Sequence, residues 1–161
     1  MRDGGEDARA IGALILVPNT LDFGIGVDAA VPIDDVLPRS VLRAAAGLSH
    51  WVAENAKTTR AFLKRVEALC PLERPLQAIS IVELPRPPKG GGPRAVAAVD
   101  LAPLLEPARR GEDIGLISEA GLPAVADPGA ALVAAAHAEG IRVVALPGPS
   151  SLLLALAASG L

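Results

Sequence analysis

The sequence predicts an α/β fold, in which an open, mostly parallel five-stranded sheet carries helices on both faces. Short apolar segments alternate with segments of helical spacing, and parallel strands are normally joined by such helices. Two loops rich in glycine and proline, residues 115–129 and 146–151, lie at the ends of apolar segments and lead into helices. The 161 residues are 51% hydrophobic and 20% charged, enough for one buried core. We expect one domain over residues 13–161, after a disordered polar tail at residues 1–12.

The first strand is predicted at residues 13–17, where an apolar run ends at Pro18. The segment that follows, residues 21–38, contains glycine and proline breakers and is expected to be a loop. Pro38 stands where the first turn of a helix tolerates proline. The apolar face of this short helix is formed by Val41, Leu42, Ala45 and Leu48.

The second strand is predicted at residues 49–53. Asn55 is suited to cap the N-terminus of a helix that ends near residue 69. Helical spacing places on its buried side Thr59, Phe62, Leu63, Val66 and Cys70. Cys70 is the single cysteine of the chain, so an internal disulfide is excluded, and we expect a small apolar residue at a helix end.

The third strand is predicted at residues 77–82, followed by a loop at residues 84–94 that its composition, LPRPPKGGGPR, predicts to be mobile. Asp100 is expected to cap a helix that ends near Arg110, and Pro107 should fray or kink the end of that helix.

Two further strands are predicted at residues 114–117 and 141–145, with helices at residues 129–139 and 149–159 after them. Gly140 ends the first of these helices. Parallel sheets bind ligands beyond the carboxyl ends of their strands. Both loops rich in glycine and proline lie at that edge, which predicts one ligand cleft there.

Several classes of function are disfavoured by what the sequence lacks. It has no G-x-G-x-x-G after the first strand and no G-x-x-x-x-G-K-[ST], which weakens an NAD or ATP site. His50 and His137 stand apart from other metal-ligand residues, so no metal site is predicted. Two Phe, one Trp and no Tyr give little material for stacking on nucleic-acid bases.

The ends of the chain predict a cytoplasmic protein without a membrane span. The N-terminus lacks the basic start and apolar run of a secretory signal. The apolar run at residues 152–158 is far shorter than the roughly 20 residues that a membrane span requires.

Charge is distributed unevenly along the chain. Residues 39–94 hold 10 basic and 4 acidic side chains, a net charge of +6, although the whole chain has a net charge of −3. This basic segment is either an ordinary solvated surface or a patch that faces an anionic substrate.

Two segments of the second half resemble a known family. ISEAGLPAVADPG, at residues 117–129, and VVALPGPSSLLLALAASGL, at residues 143–161, resemble the tetrapyrrole-methylase superfamily, and within it the branch of 16S ribosomal RNA 2′-O-ribose (cytidine) methyltransferases. The stretch AENAKTTR, at residues 53–60, looks like a variant of the A-E-D-T-R-x-T motif of that branch. Asn55 replaces the usual aspartate, which removes a carboxylate from the expected substrate side.

The resemblance implies a methyltransferase that uses S-adenosylmethionine and binds it in the domain of residues 13–161. The implied cofactor-binding residues are Pro18, Asn19, Gly121, Leu122, Pro123, Val125, Ser150 and Ser151. The same glycines and prolines also suit plain turns between strand and helix. For Asp127 we expect a structural role, as the cap of the helix that follows Pro128.

The methyl acceptor implied by the resemblance is an oxygen of ribosomal RNA. Glu54 is the candidate general base, although a carboxylate near a helix N-terminus also simply favours the helix dipole. Lys57, Arg60 and Lys64 would hold substrate phosphates. The alternatives are methylation of a tetrapyrrole-like small molecule and a cofactor-binding half-domain without turnover.

Members of the family continue past the position of Leu161 into a second α/β domain, which is absent from this sequence. We therefore expect a truncated product, a fragment, or a half that works with a missing C-terminal domain or as a homodimer.

Overall fold

The computed structural model describes residues 10–22, 31–85, 100–125, 127 and 129–161. The strands are β1 (Ala13–Leu16), β2 (His50–Ala53), β3 (Ser80–Glu83), β4 (Ile114–Ile117) and β5 (Arg142–Ala145). The α-helices are α1 (Ile33–Val36), α2 (Arg39–Gly47), α3 (Ala56–Glu67), α4 (Glu106–Arg109), α5 (Gly129–Ala138) and α6 (Ser151–Ser159). Single turns of 3-10 helix lie at Leu76–Ala78 and Ala102–Leu105.

The five strands form one sheet in the order β3-β2-β4-β1-β5, and every neighbouring pair is parallel. In the centre of the sheet, Leu14 of β1 is in register with Ile114 of β4 on one side and with Val143 of β5 on the other. The predicted α/β fold with a parallel five-stranded sheet is confirmed.

Helices cover both faces of the sheet, and each face has its own core. Alternate residues of a strand point to opposite faces. Ala13 and Ile15 therefore pack with α1, α2 and α3, whereas Leu14 packs with α4 and α5. The largest buried side chain, Trp51, belongs to the first of these cores, where its ring meets that of Phe62 edge to face.

The first half of the chain follows its local signals closely, except that α1 (Ile33–Val36) forms one helical turn within residues 21–38, which were predicted to be a loop. The side chain of Asn55 accepts hydrogen bonds from the N–H groups of Lys57 and Thr58, as expected of the N-cap of α3. All the residues assigned to the inner side of this helix are buried except Cys70, which is half-buried and packs against the same core. These contacts confirm the expected apolar role of Cys70.

Two predicted elements are wrong in detail because proline starts a turn. The third strand begins only at Ser80, since Pro75 accepts a hydrogen bond from the N–H of Ala78 and closes a 3-10 turn over residues predicted to be extended. Asp100 does accept from the N–H of Ala102. The helix after it is, however, a 3-10 turn followed by the four residues of α4, because Pro107 lies in the first turn of α4 rather than kinking its end.

The two helices of the second half, α5 and α6, end within one residue of their predicted ends. Gly140 follows α5 with φ +70°, the left-handed conformation that glycine adopts at no steric cost. None of the residues of α6 is buried, and its leucines are more than half exposed. Residues 1–9 of the predicted tail and residues 86–94 of the predicted mobile loop lie outside the described residues.

Candidate ligand site at the carboxyl edge of the sheet

The strand order creates a crevice between β1 and β4. After β1 the chain crosses over β4 to reach β2, and after β4 it crosses over β1 to reach β5. The loops that leave these two adjacent strands therefore run in opposite directions across the carboxyl edge. Ligands of open α/β sheets bind at such a point, where the strand order reverses.

The loop after β1 is hydrogen-bonded to the loop after β4. The N–H of Asn19 donates to the carbonyl oxygen of Gly121 at 2.9 Å, and the N–H of Gly121 donates to the carbonyl oxygen of Thr20 at 3.2 Å. The side-chain nitrogen of buried Asn19 donates to the carbonyl oxygens of Ser118 and Glu119, each at 3.1 Å. The side chain of Asn19 thus joins the two loops through these hydrogen bonds.

The loop after β4 has two left-handed residues close together. Gly121 has φ +66° and is buried, and Ala124 has φ +64°, a conformation that costs a residue with a Cβ roughly 1–2 kcal/mol. A Cβ on Gly121 would lie 3.2 Å from Cδ2 of Leu21 and 3.3 Å from the carbonyl oxygen of Pro149. Glycine is therefore required here both by the backbone conformation and by the neighbouring loops.

Asp127 holds the strained end of this loop. Its two carboxylate oxygens accept from the N–H of Ala124, both at 2.9 Å, and Oδ1 also accepts from the N–H of Gly129 at 2.7 Å. Gly129 is the first residue of α5, so the expected capping role is confirmed. Burial raises the pKa of the Asp127 carboxyl above its usual range, against the opposing effect of these N–H donors.

The loop after β5 completes the group of loops. Gly148 lies so close to Pro18 that a Cβ on this glycine would overlap the proline ring. Ser150 is buried and precedes α6, whereas Ser151 is exposed. Three loops therefore interlock at the carboxyl ends of three adjacent strands, which are β4, β1 and β5.

The residues predicted to bind cofactor are brought to this one edge, but they differ in exposure. Leu122 is half-buried and Pro123 is buried, while Val125 is 44% exposed and offers an apolar surface next to the loops.

Sequence reasoning missed Thr20 and Ala124. Thr20 looks like one more loop residue, and a left-handed alanine has no sequence signal of its own.

Glu54 connects the end of β2 to the same edge. Its Oε2 accepts from the N–H of Glu119 at 2.8 Å. The negative charge of Glu54 also contributes to the raised pKa of Asp127, after burial. The carboxylate of Glu54 thus lies at the edge of the sheet that carries the crevice, where its charge would attract a cation and repel a phosphate.

The basic side chains Lys57, Arg60 and Lys64 share the exposed side of α3. Within the described residues, none of the three forms a salt bridge with a carboxylate, although Arg60 donates to the carbonyl oxygen of Ala56 in its own helix. Glu83, at the end of β3, accepts from the N–H of Ala56 and fixes the start of α3. The outer side of α3 is therefore a cationic surface near the crevice.

A surface groove of about 410 Å³ lies elsewhere, between the C-terminal ends of α2 and α3. Its lining includes Arg43, Leu69, Cys70 and Glu73. Crossover helices run antiparallel to the strands, so this groove is at the amino edge of the sheet, away from the three loops. Strand topology, rather than groove volume, points to the ligand site.

Other kinds of site find no support in the described ranges. In that part of the chain, no group of three or more His, Cys, Asp and Glu side chains is arranged to hold a metal ion. The helices described there include none that is long and apolar enough to span a membrane.

An all-parallel sheet with three interlocking loops at its switch point is typical of α/β domains that bind ligands at the carboxyl edge. Residues 40–161, more than half of the chain, match the family of Tetrapyrrole (Corrin/Porphyrin) Methylases. The chain belongs to this family, as its two loop motifs predicted.

Curated relatives that match this chain share one name. Ribosomal RNA small subunit methyltransferase I of Xylella fastidiosa is 57% identical over 51 residues, which are 32% of this chain and 19% of that protein. The protein of the same name from Mesorhizobium japonicum is 49% identical over 70 residues, 44% of this chain and 21% of the relative. That of Escherichia coli O157:H7 is 48% identical over 58 residues, 36% of this chain and 20% of the relative. The matches thus span about a fifth of each relative's length.

Proposed function

We propose that this chain binds S-adenosylmethionine at the carboxyl edge of the sheet and forms part of a methyltransferase that acts on a ribose 2′-oxygen of ribosomal RNA. The observation that carries the proposal is the interlocking of the loops after β1, β4 and β5 at the switch point. Family membership and the names of the relatives support the reaction and the substrate class.

The crevice suits this cofactor better than a nucleotide with phosphates. Residues 118–122 and 146–151 contain neither lysine nor arginine, so they offer mainly main-chain polar groups to a ligand. The half-buried carboxylate of Glu54 lies at the same edge, bonded to the N–H of Glu119. Its charge favours the positively charged sulfonium of S-adenosylmethionine, whereas a phosphate would be repelled.

The residues that would hold the cofactor divide by role. Asn19 and Gly121 set the relative position of two loops through their mutual hydrogen bonds. Leu122 and Val125 would give apolar contact to the adenine ring, and Ser150, which is buried before α6, would lie at the other end of the cofactor. The bound cofactor supplies an activated methyl group. The contribution of this chain is to hold cofactor and acceptor in line.

Glu54 is our proposed general base. Because its Oε2 is held by the N–H of Glu119, the proton from the ribose hydroxyl would go to Oε1. The hydrogen bond to Glu119 would keep the carboxylate from rotating away from the crevice.

Cofactor binding is tested by calorimetry of the chain with S-adenosylhomocysteine. We expect weak binding, because the family's second domain would supply the other wall of the cleft. No detectable heat at millimolar ligand would refute the cofactor site in this chain. Binding without RNA methylation, even with the second domain supplied, would favour the non-catalytic half-domain.

The RNA substrate is tested on the exposed side of α3. We expect Lys57→Ala/Arg60→Ala/Lys64→Ala to weaken RNA binding for all sequences alike and to flatten its dependence on salt, because fewer counterions are released. A control with the same charge change replaces three exposed arginines at the amino edge, namely Arg43, Arg74 and Arg142. Equal salt slopes for the two triple variants in filter binding would refute the RNA surface, and methylation of a tetrapyrrole-like molecule would then lead.

The exposed leucines of α6 indicate a surface for contact with a partner. A helix that is apolar on all sides is normally buried. We propose that a C-terminal domain of the kind found in the family, or a second copy in a homodimer, covers α6. A cytoplasmic location would fit a ribosomal RNA substrate.

A further inference from the structure

The side chain of Arg65 ties α3 to the loop after β1. Arg65 lies in the last turn of α3, and its guanidinium is partly buried. Nη1 donates to Oγ1 of Thr20 at 3.4 Å and to Oδ2 of Asp22 at 3.3 Å, and Nη2 donates to the carbonyl oxygen of Val31 at 2.8 Å. One side chain thus joins residues on both sides of segment 23–30.

The bonds continue from this guanidinium to the crevice. Oγ1 of Thr20 donates to Oδ1 of Asp22 at 2.7 Å, so the hydroxyl and the carboxylate are fixed together. Thr20 is 2% exposed, and its carbonyl oxygen accepts from the N–H of Gly121. A series of hydrogen bonds through Thr20, at 3.4 Å from Arg65 and 3.2 Å from Gly121, therefore runs from α3 to the left-handed glycine of the β4 loop.

We propose that Arg65 is a positioning residue for the cofactor site: it holds Thr20 where the main chain of Thr20 can fix Gly121. This inference rests on the proposed function for its link to the cofactor. Arginine suits the task because its planar fork reaches several acceptors at once, whereas the single ammonium group of lysine cannot hold all three in the same geometry. The partly buried pair with Asp22 loses little to solvent screening.

The test uses the chain with Arg65→Met and, in case that variant folds poorly, Arg65→Lys. The first measurement is hydrogen exchange at the amide of Gly121, which donates to Thr20. We expect it to exchange at least about tenfold faster in Arg65→Met, and less so in Arg65→Lys, while the amides of Phe62 and Val66 in α3 keep their protection. If Arg65 only stabilised the fold as a whole, its replacement would lower the protection of all these amides together.

The second measurement is the affinity for S-adenosylhomocysteine by calorimetry. We expect about a tenfold loss in Arg65→Met and a smaller loss in Arg65→Lys. The control is Arg43→Met, which removes an exposed arginine of α2 at the amino edge of the sheet, away from the three loops. This control should change neither the affinity nor the exchange at Gly121.

The outcomes separate the two proposals. Unchanged exchange at Gly121 in Arg65→Met would overturn the positioning role, whatever the cofactor does. Faster exchange with unchanged affinity would overturn the link to the cofactor site. If the parent chain binds no S-adenosylhomocysteine, the proposed function is wrong for this chain, and the exchange at Gly121 alone decides the role of Arg65.

Discussion

Two glycines with the same backbone conformation make a matched test of the candidate site. Gly121 has φ +66° and Gly140 has φ +70°, but their surroundings differ. A Cβ on Gly140 would meet nothing within 4 Å, whereas a Cβ on Gly121 would meet Leu21 at 3.2 Å and Pro149 at 3.3 Å. Replacing each with alanine therefore separates the cost of the backbone conformation from the cost of pushing the loops apart.

The magnitudes follow from these distances. For Gly140→Ala, the left-handed conformation costs about 1–2 kcal/mol, and the stiffer unfolded chain returns about 0.4–1 kcal/mol. A net destabilisation of roughly 0–1.5 kcal/mol is expected. Gly121→Ala carries the same cost, together with about 1–3 kcal/mol for displacing a main-chain oxygen of the β5 loop. Its total should be about 1–4.5 kcal/mol, which is about 1–3 kcal/mol more than for Gly140→Ala.

The assay is urea unfolding followed by the fluorescence of Trp51, the single and buried tryptophan. Calorimetry with S-adenosylhomocysteine is done on the same samples. Gly140→Ala should bind like the parent, and Gly121→Ala should bind at least about tenfold more weakly. Equal destabilisation of the two variants would refute the packing of the loops around Gly121, and unchanged affinity in Gly121→Ala would place the ligand elsewhere.

Three further predictions concern other parts of the molecule. Asp127→Ala should destabilise the chain by about 1–2 kcal/mol in urea unfolding, because the cap of α5 and the N–H partner of the left-handed loop are lost together; a cost below about 0.5 kcal/mol would contradict this. The hydrogen bond from His50 lowers the pKa of the Glu112 carboxyl below its usual range, so its stabilisation is present above that range and is lost as the pH falls through the lowered pKa. Stability should therefore fall less steeply in His50→Ala than in the parent as the pH drops below the usual range of a glutamate pKa, and equal slopes would refute the pair. Leu153→Glu, at a side chain that is 63% exposed, should reduce self-association of the chain in sedimentation without lowering its stability, and unchanged association would exclude α6 as the contact.

Local signals predicted the elements well where one residue type decides the conformation. Asn55 caps its helix and Gly140 ends one, because each supplies a group or a dihedral angle that few other residues can. The errors at Pro75 and Pro107 have the same origin, since both prolines begin a turn where apolar spacing suggested a continuous strand or helix.

The sequence predicted where the candidate site lies, but it did not predict the contacts between the loops that form it. Parallel topology alone puts the glycine-rich loops at the carboxyl edge. The strand order, however, depends on contacts between distant parts of the chain, and without it the crevice between β1 and β4 cannot be assigned. Asn55 shows the limit for a single residue. The expected carboxylate on the substrate side is missing, yet the oxygen at this position caps α3, so the change to asparagine keeps its structural task.

The arrangement of α3 explains how neighbouring basic residues can serve different tasks. Successive residues of a helix are turned by about 100°, so Lys64 and Arg65 point in different directions. Lys64 is exposed, whereas Arg65 is half-buried and is bonded to Thr20 and Asp22. The start of the same helix is fixed by Glu83 on β3. A substrate held on the outer side of α3 would therefore be placed relative to the crevice by contacts that belong to the fold itself, and loss of Lys64 should change RNA affinity while leaving the exchange at Gly121 as it was.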